Sequence, residues 1–192
     1  MTTSREIAFI DETISHLNTL LANLRPDVEP IVLTASTPAP AQIATALEGR
    51  DGLRAVHVVA HGSAGEVHFG AGALSLETLH DHAAELAGIG RALGVDGDLL
   101  LWSCDTAAGE RGSAFVSELA HLIAANVAAA SGRVGAAAQG GRWQLDVQAS
   151  AVHAPAPLTT LGMASYDGVL SAHPDGITFN AIVNDTGIST TD

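Results

Sequence analysis

Val56-His57-Val58-Val59-Ala60-His61-Gly62 and Leu99-Leu100-Leu101-Trp102-Ser103-Cys104-Asp105 are the stretches whose reading decides the fold. Each is an apolar run of strand length. The first ends in a histidine followed by glycine, and the second ends in the only cysteine of the chain. Near-continuous hydrophobicity implies a strand covered on both faces, as in a parallel sheet. Open α/β sheets bind ligands beyond the carboxyl ends of their strands. If the two runs are neighbours in one such sheet, His61 and Cys104 emerge at the same edge as a thiol–imidazole pair. The interval between them is long enough for one strand–helix–strand crossover.

Working outward, Glu6–Asp11 reads as a first strand that ends on a carboxylate. Ile14, Leu17, Leu20, Leu21 and Leu24 then recur at helical spacing, which predicts a helix over 12–24 closed by Arg25-Pro26-Asp27. A second strand follows over Glu29–Thr34, with Pro30 at its entry, and a short helix over 40–47. Leu53–Ala60 is the third strand. Glu66-Val67-His68-Phe69 and Ala73-Leu74 are the arms of a small hairpin, and Ser75 caps a long helix over 76–93. The fourth strand is Asp98–Trp102; a helix over 112–123, a fifth strand over 126–130 and a last half-exposed strand over 142–147 complete the pattern. Alternating strands and helices predict a three-layer α-β-α sandwich with a mostly parallel sheet. The stretch from Ala149 to Ala172 has no clear period. The domain is expected over 1–170, with 171–192 as a linker or the start of a following unit.

Composition narrows the function. The chain has 192 residues, 47% apolar and 15% charged, which suits one folded domain with a real core. Its formal charge is −13, so a nucleic-acid partner, which needs a basic face, is not expected. No apolar run has membrane-span length, and no N-terminal signal-peptide core is present. A single cysteine excludes an intrachain disulfide and leaves a packing residue or a reactive thiol.

The chemistry follows from the strand ends. A neighbouring imidazole turns a thiol into a useful nucleophile. Gly62, without a side chain, lets its N–H approach a substrate carbonyl, and with the Cys104 N–H it can form an oxyanion hole. Asp11, at a third strand end on the same edge, can orient the His61 ring. The plainer readings stand beside these: Cys104 as core, His61-Gly62 as a turn, Asp11 as a helix cap. His80 and His82, two apart on a helix, do not share a face, so no metal site is expected. No P-loop, nucleophile elbow or dinucleotide fingerprint is present, and no cofactor is expected.

Several pieces, in order, carry a family resemblance: Ile7-Ala8-Phe9-Ile10-Asp11, His57–Gly65, Gly97–Asp105, Gly112–Val116 and Gly140–Leu145. Over residues 7–147 the chain resembles the caspase-like domain of unknown function found near the N-terminus of very large bacterial repeat-containing adhesins and secreted proteins. The resemblance implies a fold similar to caspases and gingipains, with His61 as general base, Cys104 as nucleophile and Gly62 lending its N–H to the oxyanion. Asp11 stands where some relatives orient the histidine, and Asp105 is a candidate for the specificity pocket. Ser103 stands where glycine is common in that family. The implied function is a cysteine endopeptidase acting on a peptide segment of its own polypeptide or of an associated protein. The alternative is a catalytically silent domain serving as an N-terminal cap or retention module. The resemblance also implies a secreted or cell-surface bacterial protein exported without an N-terminal signal, with 185–192 opening an immunoglobulin-like repeat.

Overall fold

Alternation along the strands sorts the core into two layers. Ile7, Phe9, Val56, Val58, Leu99, Leu101, Val127 and Ala129 face one side of a sheet; Ala8, Ile10, Val59, Leu100, Trp102, Ala128 and Ala130 face the other. In the computed structural model, which describes residues 5–172, the strands are β1 (Glu6–Asp11), β2 (Val28–Leu33), β3 (Leu53–Val59), β4 (His61–Ser63), β5 (Glu66–Phe69), β6 (Gly72–Ser75), β7 (Leu93–Trp102), β8 (Asn126–Ala129) and β9 (Val147–Gln148). The helices are α1 (Leu17–Ala22), α2 (Ala39–Ala46), α3 (Ala83–Ala92), α4 (Gly109–Ile123) and α5 (Thr160–Ser165). The main sheet has six strands in the order β2-β1-β3-β7-β8-β9, all parallel except β9. Residues of α2, α3 and α4 fill the first apolar layer, and those of α1 and α5 the second. The protein is thus an α/β sandwich with helices on both faces of a mostly parallel sheet. Strands β3 and β7, the two apolar runs that lead to His61 and Cys104, are direct neighbours, with Val59 beside Trp102.

Local chemistry explains where elements depart from expectation. The helix expected over 12–24 is only Leu17–Ala22, because the Asp11 carboxylate takes the N–H and hydroxyl of Thr13 and His16 sits in the left-handed region at φ 58°. The helix expected over 76–93 is broken: Ser75 ends β6, a 3-10 turn spans Leu79–His82, and α3 begins at Ala83. β7 starts at Leu93 and takes in the expected turn, with an irregularity in its pairing between Leu53 and Ala55. The strand expected over 142–147 shrinks to Val147–Gln148. His61–Ser63 turns out of the main sheet to make a second, three-stranded sheet with the expected hairpin. The stretch without a clear period holds α5 and a segment running back across the sheet's carboxyl edge. Residues 171 and 172 belong to that segment; the remainder of the expected linker or repeat, 173–192, lies outside the described residues.

Candidate active site

The carboxyl ends of β3 and β7 bring Gly62 against Ser103-Cys104, with His61 one residue upstream of that approach. The Ala60 N–H donates to the Trp102 carbonyl at 3.3 Å, which carries the strand register one residue past the ladder. Gly62 then lies so close to the Cys104 turn that a Cβ there would fall 2.5 Å from the Cys104 oxygen and 2.8 Å from the Ser103 Cβ. Only glycine fits. The polarity of Ser103 is satisfied within the turn, because its buried hydroxyl shares a 2.7 Å hydrogen bond with that of Thr106.

The main-chain N–H groups of Gly62 and Cys104 point to one place. Both donate to the carbonyl oxygen of Leu170, at 3.1 and 2.9 Å. The Cys104 thiol lies within the same cluster. Its Sγ accepts from the Val134 N–H at 3.2 Å and lies 3.5 Å from the Val134 oxygen, which in turn accepts from the Leu170 N–H at 2.9 Å. Cys104 has no exposed surface, and burial pushes its thiol up to about 11, against the lowering effect of the Val134 and Leu170 N–H groups. Asp105, the next residue, takes the left-handed region at φ 58° and donates its N–H to the Gly132 oxygen, which sets the sharp turn carrying the cysteine.

His61 is half-buried. Its Nε2 is 3.4 Å from the Thr13 carbonyl oxygen, a long contact in which the ring donates. Its Nδ1 is buried with no hydrogen-bond partner among the described residues. Asp11 therefore acts one step removed from its expected place. Its carboxylate accepts from Thr13 and from the Gly70 N–H (3.0 Å), so it fixes the turn whose carbonyl meets His61 rather than the ring itself. Asp105 is half-buried beside the cysteine, and its carboxylate adds to the upward push on the Cys104 thiol.

Two features escape sequence reasoning. Val134, Gly135 and Ala136 line the far side of the site, and 166–172 fills it; neither stretch has periodicity to reveal it. The loop leading to Val134 is pinned by Asp146, whose carboxylate accepts from the N–H (2.8 Å) and hydroxyl of Ser131. His57, inside β3, is a core residue. Trp102 donates to its Nδ1 at 3.2 Å, and its Nε2 faces buried Glu6 at 3.2 Å. His80 pairs with Glu118 at the surface, 3.1 Å away. No helix among the described residues is long and apolar enough to cross a membrane.

Residues 7–170 match the model of a family described as a domain of unknown function, DUF4347. No curated protein matches the chain.

Proposed function

The chain belongs to the DUF4347 family, and we propose that it is a cysteine endopeptidase with Cys104 as nucleophile and His61 as general base. One observation carries the reading: two backbone N–H groups, of Gly62 and Cys104, converge on a single peptide carbonyl oxygen beside the cysteine thiol. Preorganised donors of this kind stabilise the oxyanion of acyl transfer.

The roles follow from the tautomer. With Nε2–H given to the Thr13 carbonyl, Nδ1 keeps its lone pair for a proton. The thiol is neutral at rest, since burial holds it near 11. Attack on a peptide carbonyl therefore transfers the thiol proton to His61 as the S–C bond forms. The oxyanion rests on the Gly62 and Cys104 N–H groups, and His61 returns the proton to the departing amine. Water then hydrolyses the thioester.

The caspase-type reading is supported by the His-Gly and Cys that follow neighbouring parallel strands, in a six-stranded sheet with helices on both faces. Its setting, a large secreted or surface-bound bacterial repeat protein acting on its own polypeptide or an associated one, follows from the same resemblance. The rival, a silent domain serving as a cap, has the full burial of the thiol on its side.

A peptidyl acyloxymethyl ketone ending in Val-Leu separates the two. Incubated with the full chain, it forms an adduct mapped to Cys104 by mass spectrometry, and His61→Ala slows labelling at least ~100-fold. An unlabelled Cys104, or equal labelling of folded His61→Ala, favours the silent cap.

A further inference from the structure

The groove is not empty: the chain's own residues 166–172 lie in it, held as a peptide substrate is held. Val169 forms an antiparallel bridge with Gly135, the Leu170 N–H donates to the Val134 oxygen at 2.9 Å, and the Ala136 N–H donates to the Gly168 oxygen at 2.8 Å. That ladder is strand addition, a common mode of peptide capture. The wall is shaped for it. Gly135 has φ 131°, and a Cβ there would lie 2.3 Å from the Gly168 oxygen.

Beyond Leu170 the chain continues to be held. Ser171 bridges Gly62 in parallel, and the Ala172 N–H donates to the Gly62 oxygen at 3.2 Å. The bond between Leu170 and Ser171 is thus gripped on both sides, with its carbonyl oxygen on the two backbone donors. The Leu170 side chain is wholly buried in the apolar layer with Trp102, Cys104 and Val134, which makes the subsite before the bond aliphatic. At the upstream end, Tyr166 is fixed by its hydroxyl on the Ser15 oxygen (3.0 Å) and by an edge contact with Trp143.

We propose that this domain cuts its own chain between Leu170 and Ser171, the segment 166–172 being the substrate in its bound position. The inference rests on the peptidase reading and names its substrate. Cys104 Sγ bonds to the Leu170 carbonyl carbon and the thiol proton passes to His61. The Leu170–Ser171 C–N bond breaks and His61 protonates the Ser171 amine. Water hydrolyses the Cys104 thioester, leaving the Leu170 carboxylic acid and the free thiol. The family match also ends at residue 170, so the cut falls at the boundary of the shared domain.

The test is the intact mass of the full chain, held at neutral pH and compared with Cys104→Ala and Ser171→Pro. Ser171→Pro keeps Leu170 itself and alters only the residue after the bond. Wild type is expected to yield one fragment ending at Leu170 and one beginning at Ser171, with both variants uncut and folded by circular dichroism. Cleavage in Cys104→Ala equal to wild type overturns the proposal. So does a Cys104-dependent cut at another bond, or an uncut wild type whose Cys104 takes the peptidyl ketone; in these two cases the peptidase reading survives and the segment is a plug. An uncut chain with an unreactive Cys104 overturns both.

Discussion

Gly62 is where side-chain absence decides chemistry. A Cβ added there would lie 2.5 Å from the Cys104 carbonyl oxygen and from the Thr106 hydroxyl, so a methyl group forces the β3 and β7 ends apart. Gly62→Ala is expected to cost about 1–3 kcal/mol of stability by overpacking. In the proposed reaction it also moves one oxyanion donor, worth about 10²–10³ in rate. Urea denaturation and Cys104 labelling read the two effects separately; a variant with wild-type labelling contradicts the donor role. Asp11 shows the same scale from the other side. Its carboxylate shapes the Thr13 turn, and the turn, not the carboxylate, meets the imidazole.

Between elements, a buried cluster ties the strands that carry the site. Glu6 of β1 accepts from Arg25, meets His57 of β3 and Arg54, and Trp102 of β7 closes the set through His57. Burial pushes the Glu6 carboxyl up, but the hydrogen bonds from His57 and Arg25 overcome it and hold it below its ordinary 4.5. Burial likewise drives His57 below its ordinary 6.5, against the pull of Glu6. Both are depressed in the folded state, so both contribute stability present above the unfolded values and lost as pH falls. Stability is expected to be level near neutrality and to decline below about pH 6.5 as His57 protonates in the unfolded chain, then further below 4.5. Glu6→Gln is expected to cost about 3 kcal/mol and to reduce the decline below 4.5, which Glu29 and Asp146, also held below their ordinary values, share. Denaturation midpoints measured from about pH 3 to about pH 8 check it; a flat profile contradicts it.

At this scale, too, the sequence is legible in some elements and silent in others. The apolar runs of β1, β3 and β7 announce themselves because burial on both faces leaves only one pattern. His61, Gly62 and Cys104 follow because each stands just past such a run. The helices expected over 12–24 and 76–93 are cut short where side chains capture backbone groups: Asp11 on Thr13, and the Thr78 hydroxyl on the Ser75 N–H at 2.9 Å. Periodicity carries no trace of such bonds. Val134–Ala136 and Tyr166–Ala172 are illegible for a deeper reason. Their ladder pairs residues distant in sequence, and its wall depends on a glycine at φ 131° rather than on an apolar repeat.

At the scale of the molecule, the sheet supplies the donors, the 131–136 loop supplies a wall, and the end of the described chain supplies the peptide. In the proposed self-cleavage these parts serve one step, the attack of Cys104 on the Leu170 carbonyl. Hydroxylamine added to the full chain tests that step most directly, because it intercepts a thioester at the acyl carbon. Intact mass spectrometry is expected to show a fragment ending in a Leu170 hydroxamate, rising with hydroxylamine at the expense of the Leu170 acid and absent in Cys104→Ala. A chain that stays whole, or a fragment carrying only the free acid at every hydroxylamine concentration, contradicts it.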